Sequence, residues 1–185
     1  RQPGGMAAII QLERAQLVDI CAQASEESGL QVRVANDNCP GQLVISGHIR
    51  ALDRAIEYAS AAGARRSQRL PISIAAHSPL MESVEAEYRK AVQGQPIGTP
   101  ETPVIANTTT EPMVTVEAIR AELNAQMTAQ VRWRESMLRL VSEGITDFVE
   151  LGPKDVLTRL LRRIDRSANG HALGMPAAIA ALASA

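Results

Sequence analysis

Imidazole is the side chain that moves a proton most readily at neutral pH. The histidine best placed for such work is His77, in the stretch L-P-I-S-I-A-A-H-S-P-L-M over residues 70–81. A short β-prone run over residues 71–74 delivers two small alanines and then the histidine, and Pro79 keeps the strand from continuing. This pattern puts His77 at a strand end, where loops present reactive groups on a rigid scaffold. Nothing beside it in sequence supplies a nucleophile for it to activate. Taken alone it is one of three histidines, capping the helix that follows. The two cysteines, Cys21 and Cys39, form neither a C-x-x-C pair nor a zinc spacing. Cys21 falls on the apolar side of a helix pattern and reads as a buried free thiol, which fits a reducing cytoplasm.

The elements that must hold His77 can be read in chain order. Residues 6–12 form an almost continuous apolar run, a buried strand. Residues 13–28 place Leu17, Ile20, Cys21 and Ala24 at helical spacing, and Gly29 stops the helix. Residues 31–35 alternate as a half-exposed strand, N-D-N-C-P-G over 36–41 is turn chemistry, and 42–46 is the next strand. Gly47 opens a helix to about residue 62, with Ile49, Leu52, Ala55, Ile56 and Ala59 on one stripe and Gly63 as its cap. Residues 64–74 return to extended structure. Strand, helix, strand, strand, helix, strand is the order of a ferredoxin-like split βαβ fold, closing just before His77.

Beyond the histidine the pattern changes. Residues 79–92 form an amphipathic helix and 93–102 a Pro/Gly-rich connector. A buried strand is expected over 103–107, a turn at T-T-T-E-P, and helices over 116–127 and 131–142. A strand over 148–151, a helix over 155–164 with Arg159, Arg162 and Arg163 on its polar side, a strand at 172–173 and an alanine-rich helix over 176–183 complete the chain. Strands alternating with helices make this an α/β protein with a parallel sheet, and that sheet has few strands to stand on.

Composition sets outer limits. A chain of 185 residues with 45% hydrophobic and 21% charged residues buries a core without staples. A net charge of −1 gives no electrostatic case for nucleic acid or a membrane surface. Four aromatic residues (Tyr58, Tyr88, Trp133 and Phe148) are too few for base-stacking platforms. No apolar run is long enough to span a bilayer, and no secretory leader is evident.

The order of the motifs is more specific than any one of them. G-G-M-A-A-I-I, N-D-N-C-P-G-Q-L-V-I-S-G, A-G-A-R-R, H-S-P-L-M, P-V-I-A-N-T-T-T-E-P, Q-M-T-A-Q-V-R-W and F-V-E-L-G-P-K-D-V-L-T-R-L-L-R-R-I follow one another along nearly the whole chain. In that order they resemble the malonyl-CoA:acyl-carrier-protein transacylase family. The resemblance implies part of an α/β-hydrolase-like acyltransferase domain carrying an inserted ferredoxin-like (βαββαβ) subdomain. Residues 1–74 would be the small subdomain and 75–185 the C-terminal part of the large one. It implies ping-pong transfer of malonyl from coenzyme A to the phosphopantetheine thiol of acyl carrier protein, in fatty acid or polyketide synthesis. No further cofactor or metal enters, because the coenzyme A thioester is itself the substrate.

Roles carry over residue by residue. His77 inherits the general base, with Nε2 towards a serine hydroxyl and Nδ1–H held by an acceptor. Gln126 matches the acceptor region, although Gln130 stands where the family more often has proline. Asn38 matches an asparagine beside the acyl thioester, and Gln42 a residue near the coenzyme A arm; turn-making is the plainer role for both. Arg66, with Arg65, matches a basic pair facing phosphate or an acidic carrier protein. Ala76 matches a position that varies with the substrate's α-substituent.

The resemblance also shows what this sequence lacks. None of the twelve serines sits in a G-x-S-x-G elbow. The G-Q-G-type oxyanion loop and the arginine that would pair with the malonyl carboxylate are missing too. All three belong to the family's N-terminal portion, so the chain reads as a C-terminal portion that begins just before the inserted subdomain. The nucleophile would then lie on a missing N-terminal segment of the same enzyme. A reading from a different class makes the chain a non-catalytic carrier-protein docking module with a vestigial histidine; the intact H-S-P-L-M and Gln126 speak against decay.

Overall fold

A computed structural model of the chain describes residues 3–175 and 179. The chain divides into two compact units, residues 1–136 and 137–185.

The first unit begins with β1 (Gly4–Ile10), α1 (Arg14–Ser28), β2 (Val32–Cys39), β3 (Gln42–His48), α2 (Ile49–Ala61) and β4 (Arg66–Arg69). The four strands order as β2-β3-β1-β4, every neighbouring pair antiparallel. Two interleaved split βαβ units give this order, as the ferredoxin-like reading expects. Period two on the strands splits the sheet into two faces. Ala7, Ile9, Leu43 and Ile45 join Leu17, Ile20, Ala24, Leu52 and Ala55 in the aliphatic core beneath α1 and α2. On the opposite face Met6, Ala35 and Val44 form a smaller cluster, with Leu70 and Ala76 packed against it.

The helix stripe of α1 is buried at the four expected residues, and Gly29 closes the helix in the left-handed conformation at φ 65°. Burial pushes the Cys21 thiol up to about 12. In the unfolded chain the thiol titrates near ~8.5. The folded state therefore holds its proton longer, and this contribution to stability is intact below the unfolded value. It is lost as pH rises from there towards 12. Iodoacetamide at pH 9 should leave Cys21 unmodified in the folded protein and label it in denaturant, read by peptide mass spectrometry.

Three local expectations are corrected. The N-D-N-C segment is strand, not turn: β2 runs to Cys39, and the reversal is confined to Pro40 and Gly41. Two bulges let these polar residues stay in the ladder, with Ala35 and Asn38 as the extra residues between the pairs Val34↔Ile45, Asn36↔Val44, Asp37↔Leu43 and Cys39↔Gln42. Gly47 lies inside β3, and His48 is the N-cap of α2, its Nδ1 accepting from Arg50 N–H at 3.4 Å. Residues 71–74 are not strand; they leave the sheet after Arg69 as an exposed loop.

Past the loop come a 3-10 turn (Pro79–Met81), α3 (Glu82–Gln93), β5 (Val104–Ile105), β6 (Pro112–Met113), α4 (Val116–Ala125) and α5 (Trp133–Ser142), within which the division between the units falls. The strand expected over 103–107 is only two residues long, pairs with β6 alone, and leaves Val104 exposed. In the second unit β7 (Asp147–Leu151) and β8 (Asn169–Leu173) are parallel and joined by α6 (Val156–Ile164). Glu150 accepts from the free N–H groups of Leu157 and Thr158 in the first turn of α6, the usual resting place for a carboxylate. Leu151 is 70% exposed at the end of β7. The alanine-rich helix expected over 176–183 lies outside the described residues apart from Ile179. Among the described residues no helix is long and apolar enough to cross a membrane.

Candidate active site

A helix leaves its last carbonyls without intrahelical partners, and these carry its partial negative charge. Gln126 caps α4 in that position. Its carbonyl oxygen lies 2.8 Å from His77 Nδ1. A carbonyl can only accept, so Nδ1 carries a proton, and in the neutral ring the lone pair is then on Nε2. The next carbonyl along, Met127 O, accepts the backbone N–H of His77 at 3.0 Å. The end of α4 thus fixes both the ring and the backbone of the histidine.

The turn that carries His77 is shaped for this. His77 has φ 60°, uncommon for a residue with a side chain. Just before it Ala75 is buried against β1, where a Cβ on Gly4 would come within 2.7 Å of the alanine methyl. Ser78, the serine next to the base, is only 1% exposed, and its hydroxyl donates to Ala75 O at 2.7 Å. It braces the turn and is not presented as a nucleophile. His77 caps nothing: its ring is committed to Gln126, and helix capping is the work of His48.

The segment after α4 is stitched to the sheet. Val131 N–H donates to Ala35 O at 2.8 Å, and Asp37 N–H donates to Val131 O at 3.0 Å, making a parallel bridge at the β2 edge. Gln130 Oε1 accepts from Arg14 Nη2 at 3.2 Å. Arg14 Nε also stands 3.8 Å from the buried carboxylate of Asp37. Burial pushes the Asp37 carboxyl above its ordinary range, against the pull of Arg134 and Arg14.

The softer candidates fall into place unevenly. Gln42 on β3 and Arg66 on β4 both pair with Ile10, so the three stand in one row on one face of the sheet. That face also bears Met6 and Val44, against which Ala76 packs. Ile10 lies four residue steps along β1 from Met6, roughly 13 Å at about 3.3 Å per step, so Gln42 and Arg66 share the face of Ala76 but at the other end of the strand. Arg66 is exposed and donates to Gln68 Oε1 at 2.8 Å. Asn38 is a bulge residue rather than a turn residue, a place where a strand re-aims a side chain.

Sequence reasoning missed Glu122. This buried residue of α4 accepts from Asn107 N–H at 2.9 Å, Thr108 N–H at 3.2 Å and Gln126 Nε2 at 3.2 Å, and from the Thr108 hydroxyl. A carboxylate and an amide four residues apart on one helix was the available signal.

The arrangement offers one oriented imidazole with an open Nε2, able to take a proton from a hydroxyl or thiol brought to it. A family model described as the acyl transferase domain matches residues 1–182. The malonyl CoA-acyl carrier protein transacylase of Bacillus subtilis is 35% identical over 176 residues, 95% of this chain and 55% of that protein. The solved structure of the corresponding transacylase from Coxiella burnetii superposes with TM-score 0.92 at 35% identity, over 98% of this chain and 57% of that one. A solved complex of a type II PKS acyl-carrier protein with its malonyl-transacylase matches at TM-score 0.93 and 32% identity, over all of this chain and 59% of that one. The chain spans about half the length of the curated relatives it matches.

Proposed function

The chain belongs to the acyl transferase domain family, and from that premise we propose that it supplies the general base and part of the pocket for acyl transfer from a coenzyme A thioester to a carrier protein. The transferred group is malonyl or a close relative, and the acceptor is the phosphopantetheine thiol of acyl carrier protein, in fatty acid or polyketide synthesis. Residues 1–74 form the small subdomain in this reading, and 75–185 belong to the large one. The observation that carries it is the 2.8 Å contact from His77 Nδ1 to Gln126 O, which leaves Nε2 as the acceptor.

The chemistry follows from that lone pair. His77 Nε2 takes the proton of a serine hydroxyl as its oxygen attacks the thioester carbonyl. When the carbon–sulfur bond breaks, the imidazolium returns the proton to the departing coenzyme A thiolate. The carrier's thiol then gives its proton to Nε2, attacks the acyl-serine, and the serine oxygen leaves reprotonated. The face bearing Ala76, Gln42 and Arg66, with Asn38 nearby on β2, forms a wall of the pocket, and Arg66 offers a cation to phosphate or to an acidic carrier.

The nucleophile lies on a segment of the protein outside this sequence. Supporting this are the absence of a G-x-S-x-G among its serines, the commitment of Ser78 to Ala75, and the greater length of the relatives. The bare parallel pair of β7 and β8, with Leu151 exposed, is what a larger sheet would cover. Intact-mass spectrometry after incubation with malonyl-CoA tests the reading. The 185-residue chain alone should gain no adduct, and the full-length protein should gain one, mapping to a serine outside this sequence. An adduct on the 185-residue chain refutes the division of labour; a full-length protein that never loads refutes the transferase role.

A further inference from the structure

Resting on the proposed role of His77 as base, we infer that Glu122 is a positioning residue for it, tying the last turn of α4 to the 106–110 turn so that the Gln126 carbonyl stays on Nδ1.

A buried carboxylate is costly unless its oxygens are hydrogen-bonded. Glu122 is 7% exposed, and no arginine, lysine or histidine forms an ion pair with it among the described residues. Its partners are neutral donors drawn from two segments. On one side are the N–H groups of Asn107 and Thr108, at 2.9 and 3.2 Å, with the Thr108 hydroxyl. On the other is Nε2 of Gln126, at 3.2 Å. The amide of Gln126 is thus bound to Glu122 while its carbonyl holds the ring of His77.

The same turn is grasped a second time from further along the chain. Arg132 N–H donates to Asn107 O at 2.8 Å, and Arg132 Nη1 reaches Thr109 O at 3.4 Å. The two carbonyls that hold His77, those of Gln126 and Met127, therefore lie between two anchors, residues 122 and 132, fastened to one turn. Releasing the first anchor frees the end of a helix, the part most prone to fray. The distance from Nδ1 to its acceptor then loosens and the tautomer preference of the ring weakens.

The test uses the full-length protein with 15N-labelled histidine. Wild type should show His77 as the Nδ1–H tautomer in its ring-nitrogen spectrum. Glu122→Ala should show mixed tautomers, with kcat down by about ten- to a hundredfold, the scale seen when a partner orienting a histidine is removed, and KM nearly unchanged. Glu122→Gln keeps an oxygen for the Asn107 and Thr108 N–H groups and should restore both readouts to within a few fold. Should Glu122→Ala fail to fold, Thr108→Val removes one donor only, and the same shift in tautomer, smaller in size, is expected. Wild-type ring spectra and kcat in Glu122→Ala, or in a folded Thr108→Val where Glu122→Ala is lost, overturn the inference. That failure is distinct from failure of the base role. His77→Ala at full activity refutes the base and leaves the tautomer result standing, whereas an inactive His77→Ala with unmoved tautomers refutes the positioning alone.

Discussion

Replacing His77 by alanine in the full-length protein is expected to lower kcat for the proposed malonyl transfer by about 10²–10⁴-fold, the usual worth of general acid–base assistance. In the proposed mechanism one imidazole serves both half-reactions, as base towards serine and thiol and as acid towards the departing sulfur, so both steps should slow together. Among the described residues, the ring's only hydrogen bond is to the carbonyl of Gln126 through Nδ1. Removing it withdraws nothing from Asn38, Gln42 or Arg66, and KM for the thioester should move far less than kcat. Gln126→Ala is the sharp comparison. The acceptor is a backbone oxygen, which alanine retains, so this substitution should cost no more than a few fold, through the lost Nε2 contact with Glu122. Steady-state kinetics and single-turnover acylation of the serine measure both. A His77→Ala protein with near-normal turnover would make the histidine structural and remove its catalytic assignment.

Much of this site was legible in the sequence because chemistry and position coincide at His77 and Gln126 within recognisable motifs. The fold of the first seventy residues was legible for a simpler reason. Leu17, Ile20, Cys21 and Ala24 repeat at helical spacing, and the strand residues alternate at period two, so burial pattern and propensity agree. The misreadings occurred where tertiary pairing overrides local preference. Asn36, Asp37 and Asn38 favour turns, yet β3 on one side and Val131 on the other hold them in the ladder through two bulges. Residues 71–74 look like a strand, but β1 finds only β4 beside it on that edge, and the chain departs as a loop towards His77. Glu122 is missed for another reason: its spacing to Gln126 signals only a local pair, and its meaning depends on a turn fourteen and fifteen residues upstream folding back onto α4.

Gly47→Ala is expected to be the most damaging single-methyl change in the ferredoxin-like layer. A Cβ at this position would stand 2.2 Å from Gln31 O and 2.5 Å from Val32 Cα, both backbone atoms that no side-chain rotation can move aside. Relief must come from shifting β2 away from β3, and the damage then spreads by defined routes. Gln31 O accepts the N–H of His48 at 2.8 Å, so the bond next to the intruding methyl weakens. His48 in turn caps α2 through Arg50 N–H, a contact worth about 1 kcal/mol in typical helices. Overpacking of this kind costs typically 1–3 kcal/mol when side chains can yield, so with backbone on the far side about 3 kcal/mol or more is expected. At roughly 2–4 °C per kcal/mol for a chain of this size, Tm should fall by about 6–12 °C. Gly98→Ala, with nothing within 4 Å of its added methyl, controls for loss of a glycine as such and should leave Tm within about a degree or two. Hydrogen exchange locates the effect: in Gly47→Ala the amides of His48 and Arg50 should lose protection before those of α1. If Gly47→Ala melts with the Gly98→Ala control, β2 and β3 do not approach each other as closely as the sheet described here requires.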